Sequence, residues 1–186
     1  MATRPRSAAI VNLGCKVNQS EMEAAARLLR EAGIALVAPD RAADLYLVNT
    51  CTVTRKTDSE SFAAIRRLHA EGKVNGILGM GGSGGTSIGT SAMRVLPIGL
   101  PKVMVSTLGG GDVSAYTGGK DIIFIPSIVD VAGINRFSRA IYANAAGAIA
   151  GLIIANLFMY SFSFFQADKS TTLVLICVLI NGVFFY

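Results

Sequence analysis

NGILGMGGSGGTS, residues 75–87, decides how this chain is read, because a short apolar run there gives way to glycines and small hydroxyl residues. Val74 to Leu78 predicts a strand, GMGGSGGTS a loop, and Ile88 to Val95 a short helix. In that order, backbone N–H groups can face a phosphate at the helix N-terminus. Gly79, Gly81 and Gly84 satisfy GxGxxG after a strand, yet no GK[ST] follows, which excludes a Walker A loop. Nor does an acidic residue lie about 20 positions further on to hold a ribose, as a dinucleotide site requires. Glycines at this density serve tight turns and close helix-to-strand packing just as well.

Downstream the arrangement recurs. PKVMVST (101–107) predicts a strand followed by LGGGDVSAYTGG, DIIFIPSI (121–128) predicts another, and the segment from Val131 onward reads as helix. Lys102 precedes its strand and is expected on the sheet edge opposite the glycine loops. Asp112 and Asp130 are candidate metal ligands, set against the commoner use of single turn aspartates to accept local amides. His69, the one histidine, is expected on a solvated helix end beside Arg66 and Arg67. Arg136 and Arg139 have no spacing that assigns them a role.

Upstream the chemistry is different. AAIVNLG (8–14), IALVA (34–38) and DLYLVNTC (44–51) read as strands. Two capping boxes, Ser20 with Glu23 and Thr57 with Glu60, predict helix starts, and Gly33 predicts a helix end. The order β-α-β-β-α points to an α/β sheet. Cys15 and Cys51 each follow an apolar strand core, so parallel strands would bring both thiols to one carboxyl edge. Read as isolated residues, they are as readily small buried side chains.

Two resemblances extend this reading. LGCKVNQSEMEA (13–24) and LYLVNTCTVTRKTDSESFAAIRRL (45–68) resemble the N-terminal domain of radical SAM tRNA methylthiotransferases, in the threonylcarbamoyladenosine branch. The resemblance implies a 4Fe-4S cluster with Cys15 and Cys51 as two of its three thiolate ligands, and tRNA as partner. Where the third cysteine is expected, this chain has Gly79 and Met80, and no CxxxCxxC motif is present, so methylthiotransferase catalysis is not expected.

From Gly76 to Gly151 the sequence resembles the ATP-binding family typified by the plant tobamovirus-resistance protein, through GGSGGTS, LPIGLPKVMVST and DVAGINR. That resemblance implies Rossmann-like lobes and a bound nucleotide, ATP. Its phosphate contacts would be the loop amides of Gly81, Gly82, Ser83, Gly84 and Gly85, assisted by the hydroxyls of Thr86 and Ser87, with Ser106 and Thr107 lining the same crevice.

The C-terminal quarter is apolar. Ile141 to Phe165 is uncharged and long enough to cross a bilayer, for which about 20 residues suffice. Ala143, Gly147, Gly151 and Ala155 form a small-residue stripe that is expected to pack closely on a sheet. After the polar break QADKS (166–170), TTLVLICVLINGVFFY runs apolar to the end and contains Cys177, which is not expected to bind a cluster. A membrane hairpin, a read-through tail and a buried core element all fit this segment.

Residues number 186, of which 52% are hydrophobic, and the formal charge is +5, a modest bias toward anionic partners. The start, MATRPRSAAIVNLGCK, lacks the apolar h-region of a secretory signal and predicts a cytoplasmic protein. Three cysteines are too few and too far apart for a disulfide framework. The expected fold is α/β, with Rossmann-like, mostly parallel sheets and flanking helices in two partial lobes (1–72 and 73–151), followed by an apolar helical or hairpin tail (152–186). The expected function is a composite: a methylthiotransferase-like lobe joined to a partial nucleotide-binding lobe. Its alternatives are a nucleotide-binding module alone, or a membrane-associated fusion product.

Overall fold

A computed structural model describes residues 5–12, 16–49, 55–72, 74–128 and 135–165. The fold is α/β, with two parallel three-stranded sheets, flanking helices and a long apolar C-terminal helix.

In the first sheet, β1 (Ser7–Asn12) lies between β2 (Ala35–Val37) and β3 (Leu45–Asn49), parallel to both. Ala8 and Ala9 of the central strand are fully buried, and their small side chains let helices approach the sheet closely. The helix α1 (Lys16–Glu31) makes the crossover from β1 to β2. It ends as expected at Gly33, whose φ of +74° suits glycine. There Gly33 N–H donates to the Arg30 carbonyl (2.8 Å) and Ile34 N–H to the Leu29 carbonyl (2.9 Å), which satisfies two terminal carbonyls.

Its start differs from the expectation. α1 begins at Lys16, and α2 (Arg55–Ala70) begins at Arg55, so Ser20 and Thr57 lie inside helices rather than at their starts. Each helix continues N-terminally because KVNQ and RK contain no glycine or proline to stop it. Asp44 clamps the entry to β3 onto the start of β1: its Oδ2 accepts from Arg6 N–H (2.8 Å), Ser7 N–H (2.9 Å) and the Ser7 hydroxyl (3.0 Å). Those donors hold its carboxyl below the usual range.

In the second sheet, β5 (Lys102–Ser106) lies between β4 (Ile77–Gly81) and β6 (Ile123–Pro126), again all parallel. All five β5 residues are buried. Strand alternation divides them between two faces. Met104 meets Met93 of α3 (Ser83–Arg94) in a core shared with Ile122 and Phe124. On the outer side of α3, Ala92 and Leu96 pack with Ile65 and Phe62 of α2.

The opposite face carries α5 (Arg136–Phe165), which follows the short α4 (Ser114–Thr117) and β6. Asn135 caps α5: its Oδ1 accepts from Phe137 N–H (2.8 Å) and Ser138 N–H (3.0 Å), while Asn135 N–H donates to Ser138 Oγ (2.8 Å). The described helix thus starts at Arg136; Val131 lies outside the described residues. Ala145 is fully buried, Ile149 and Ile153 press on Gly76, and Asn156 Nδ2 donates to the Gly99 carbonyl (2.6 Å).

The small-residue stripe takes the other side, contrary to expectation. Ala143 and Ala155 are exposed, and a Cβ at Gly147 or Gly151 would meet nothing within 4 Å. Packing on the sheet falls instead to the branched Ile149 and Ile153, which offer more apolar area per residue. Thirty residues at about 1.5 Å each extend well beyond five-residue strands at about 3.3 Å each, so the helix overhangs the sheet. Leu157 and Phe158 are accordingly more than half exposed. Arg136–Met159 is long and apolar enough to cross a membrane by length and composition. The terminal run that holds Cys177 lies outside the described residues.

Candidate functional site at the carboxyl edge of the second sheet

The β4–α3 connection is tighter than the sequence suggests. β4 runs to Gly81 and α3 begins at Ser83, so GMGGSGGTS is the end of a strand, a single linking residue and the first helical turn. The close approach depends on glycine. A Cβ on Gly81 would lie 2.8 Å from the Gly85 Cα and 3.0 Å from its carbonyl carbon. A helix can therefore start directly over the strand end.

Gly82 occupies the N-cap position in extended conformation, and no side chain caps the helix. Thr86 N–H donates to the Gly82 carbonyl (2.8 Å), which starts the helical ladder. The amides of Ser83, Gly84 and Gly85 precede that first bond and have no intrahelical acceptor. Ser83 and Gly84 are exposed, so donors at the positive end of the helix dipole face outward at the carboxyl edge. Ligands bind at this edge in open α/β sheets.

Thr86 and Ser106 stand beneath this turn. Both are fully buried, and their hydroxyls lie 2.6 Å apart. Leu108 N–H donates to Ser106 Oγ (3.0 Å), and Ser127 N–H to the Ser106 carbonyl (2.9 Å). Thr86 and Ser106 thus join α3, β5 and the end of β6 rather than reaching into solvent. Ser87 is exposed, one residue further along the helix. Thr107, the residue after β5, lies beside the N-cap of α3, where a Cβ on Gly82 would be 4.0 Å from its Oγ1. The structure therefore brings Gly81, Gly82, Ser83, Gly84, Gly85, Thr86, Ser87, Ser106 and Thr107 to one edge, as two strand ends and one helix start.

Beyond Thr107 the loop opens into a concavity of about 450 Å³ lined by Thr107, Leu108, Gly110, Gly111, Asp112 and Tyr116. Asp112 Oδ1 accepts from Ser114 N–H (2.9 Å), the local role expected of a turn aspartate. The Ser114 amide and hydroxyl hold its carboxyl below the usual range, so it is ionised at neutral pH.

Lys102 lies on the opposite edge, as expected, with partners the sequence did not disclose. It is almost completely buried, and its Nζ donates to the carbonyls of Pro97 (2.7 Å) and Leu100 (2.9 Å) and to Asp121 Oδ1 (2.8 Å). All three ammonium donors are engaged. His69, expected on a solvated face, is half-buried, and its Nδ1 has no partner among the described residues. Arg136 lies 5.0 Å from the Phe137 ring centroid. Cys15, Cys51 and Asp130 lie outside the described residues, among which no group of three or more His, Cys, Asp or Glu side chains gathers as a metal site.

Comparison with known proteins favours one of the two resemblances. A family model described as "Uncharacterised protein family (UPF0261) N-terminal domain" matches residues 4–157, a span that includes both resembling stretches. The chain is 50% identical over 119 residues to a UPF0261 protein of Rhizobium meliloti (strain 1021), covering 64% of this chain and 29% of that protein. It is 45% identical over 98 residues to the ToMV resistance protein Tm-1(GCR237) of Solanum lycopersicum, covering 53% of this chain and 13% of that protein. A tRNA-2-methylthio-N(6)-dimethylallyladenosine synthase of Fervidobacterium nodosum is 34% identical over 70 residues, 38% of this chain and 16% of that enzyme. The chain spans less than a third of the length of these relatives.

Proposed function

Because the chain belongs to the uncharacterised protein family UPF0261, through its N-terminal domain, we propose that it is a nucleotide-binding module that holds the phosphates of ATP on the first turn of α3. One observation carries this reading: an uncapped helix start with exposed Ser83 and Gly84, placed directly on a strand end by Gly81. Unspent amides and the helix dipole both favour a multiply charged anion. Absence of side chains at Gly81, Gly82, Gly84 and Gly85 lets phosphate oxygens come within hydrogen-bond distance of the backbone. The resemblance to an ATP-binding family supplies the identity of the ligand.

In this account Thr86 and Ser106 act as positioning residues, and Ser83, Ser87 and Thr107 add hydroxyls around the anion. The role is binding, with no catalytic group assigned. Cluster chemistry does not enter it, since Gly79 and Met80 stand where the methylthiotransferase resemblance calls for a third cysteine. Titration calorimetry of the full chain with ATP tests the proposal. Gly84→Val, which places a branched side chain over the exposed amides, is expected to weaken binding at least tenfold. Equal affinity in both proteins would overturn the assignment.

A further inference from the structure

The side of α5 turned away from the sheet carries no charge from Ala140 to Met159. Ala140, Ala143, Gly147, Gly151 and Ile154 recur there every three or four residues, all of them exposed. We propose that this side of α5 is the interface of a homodimer, in which two copies of the helix cross antiparallel about a two-fold axis at Gly147.

The distribution of bulk supports a second copy as the partner. Phe137 and Phe158 are 56% and 58% exposed and stand 21 positions apart, close to six turns at about 3.6 residues each, so they lie on the same side of the helix. Gly147 follows the first by ten positions and precedes the second by eleven. Turning one helix over about Gly147 therefore sets Phe137 of one copy against Phe158 of the other. Crossing helices are closest at the crossing point and diverge toward their ends. Glycine and alanine at the centre permit the close approach, and phenylalanines at both ends fill the widening space. One surface thus complements itself, as a two-fold interface requires.

Area and charge agree with this arrangement. With Ile154 and Leu157, each 53% exposed, and the small residues between, the two phenylalanines give the face on the order of 600 Å² of apolar surface. Two such faces reach the roughly 1,200 Å² at which specific, stable interfaces begin. Arg136 and Arg139 are the only charged residues of α5, both at one end. Parallel packing would set these cations side by side, whereas the antiparallel pair separates them by about 30 Å, well beyond the screening distance.

A bilayer fits the helix less well. The opposite side of α5 is committed to its own sheet, through buried Ala145, through Ile149 and Ile153 against Gly76, and through the Asn156 bond to the Gly99 carbonyl. Spanning a membrane would strip all of these contacts, while dimerisation leaves them in place.

Sedimentation of the full chain tests the proposal. Wild type is expected at about twice the 19.5 kDa of one chain. Gly147→Glu, which sets two carboxylates on the axis, is expected to run as a single chain at the same concentration. Its helical circular dichroism should be retained, because a Cβ there meets nothing within 4 Å and Glu forms helix more readily than Gly. Leu28→Glu, at an exposed apolar residue of α1, should leave the dimer intact. Phe137→Lys combined with Phe158→Glu is expected to associate more tightly than either single variant, since opposite charges meet only in the antiparallel register. Wild type at the mass of one chain, a mass that Gly147→Glu leaves unchanged, or a double variant weaker than both singles would overturn the proposal. Flotation of wild type with phosphatidylcholine vesicles in place of a dimer would overturn it too and assign the face to a bilayer.

Discussion

The hydroxyls of Thr86 and Ser106 lie 2.6 Å apart with both side chains fully buried, and this contact ties the first turn of α3 to the carboxyl end of β5. A buried hydroxyl without a partner costs about 1–3 kcal/mol. Ser106→Ala removes this bond and the acceptor of Leu108 N–H, so it is expected to destabilise by about 2 kcal/mol. Thr86→Val keeps the shape and should cost about 1 kcal/mol. Denaturant unfolding of both single variants and the double variant should show a double cost below the sum, because the shared bond is lost only once.

Glycines on β4 differ in what they meet. A Cβ at Gly81 would strike the backbone of Gly85 at 2.8 Å, while one at Gly79 would strike the Met104 Sδ at 2.6 Å and the Met93 Cε at 3.0 Å. Methionine ends can swing aside, whereas a helix backbone cannot. Gly81→Ala is expected to cost about 2–3 kcal/mol and Gly79→Ala about 1 kcal/mol or less, measured by urea titration. Gly81→Ala should also lower ATP affinity, since it forces α3 away from the strand end.

Helix stability and anion binding should respond to one substitution with opposite signs. Gly84→Asp places a carboxylate in the first turn of α3, where the helix dipole stabilises it by about 0.3–1 kcal/mol. The same charge occupies the proposed phosphate position and repels the ligand. Thermal melting should show an unchanged or raised midpoint, while calorimetry should show ATP binding lost.

At the far edge, the Lys102–Asp121 pair makes stability pH-dependent. Burial raises the Asp121 carboxyl, but the Lys102 ammonium and the Gly99 amide outweigh it and leave the group below its usual value. A carboxylate depressed in the folded state contributes stability above its unfolded pKa of about 3.9 and loses it as pH falls through the folded value. Asp44 is shifted in the same direction. Unfolding free energy should therefore hold from neutral pH to about pH 5 and decline below about pH 4. Asp121→Ala strands a cation whose side chain is 0% exposed, so it should cost about 3 kcal/mol even at neutral pH.

Much of this architecture was legible because apolar runs, glycines and spacing report local structure. Parallel strands at 7–12, 35–37, 45–49, 102–106 and 123–126 overlap segments read as strands, β4 shares only Ile77 and Leu78 with the expected strand and runs on to Gly81 through glycines read as loop, and Gly33 closes α1 as its position implies. Helix starts were less legible. A Ser-x-x-Glu spacing marks a cap only when the backbone leaves the helix there, and at Ser20 and Thr57 it does not. Glycine misled in the opposite sense at 82–87, where a loop was expected and a helix begins at Ser83, because proximity to a strand end can outweigh poor helix propensity. Composition identified α5 as apolar but not which side meets the sheet, since a helix apolar all round has no readable face. Lys102 with Asp121 joins residues that no short spacing connects.

The central claim is that the amides opening α3 hold phosphate, and amide chemical shifts report this directly. Tripolyphosphate titrated into the uniformly ¹⁵N-labelled full chain is predicted to move the Ser83, Gly84 and Gly85 amide resonances downfield and saturably, with smaller changes at Thr107 and none at Lys120. Unmoved resonances at those three positions, or saturable shifts confined to the Lys102 edge, would contradict the account.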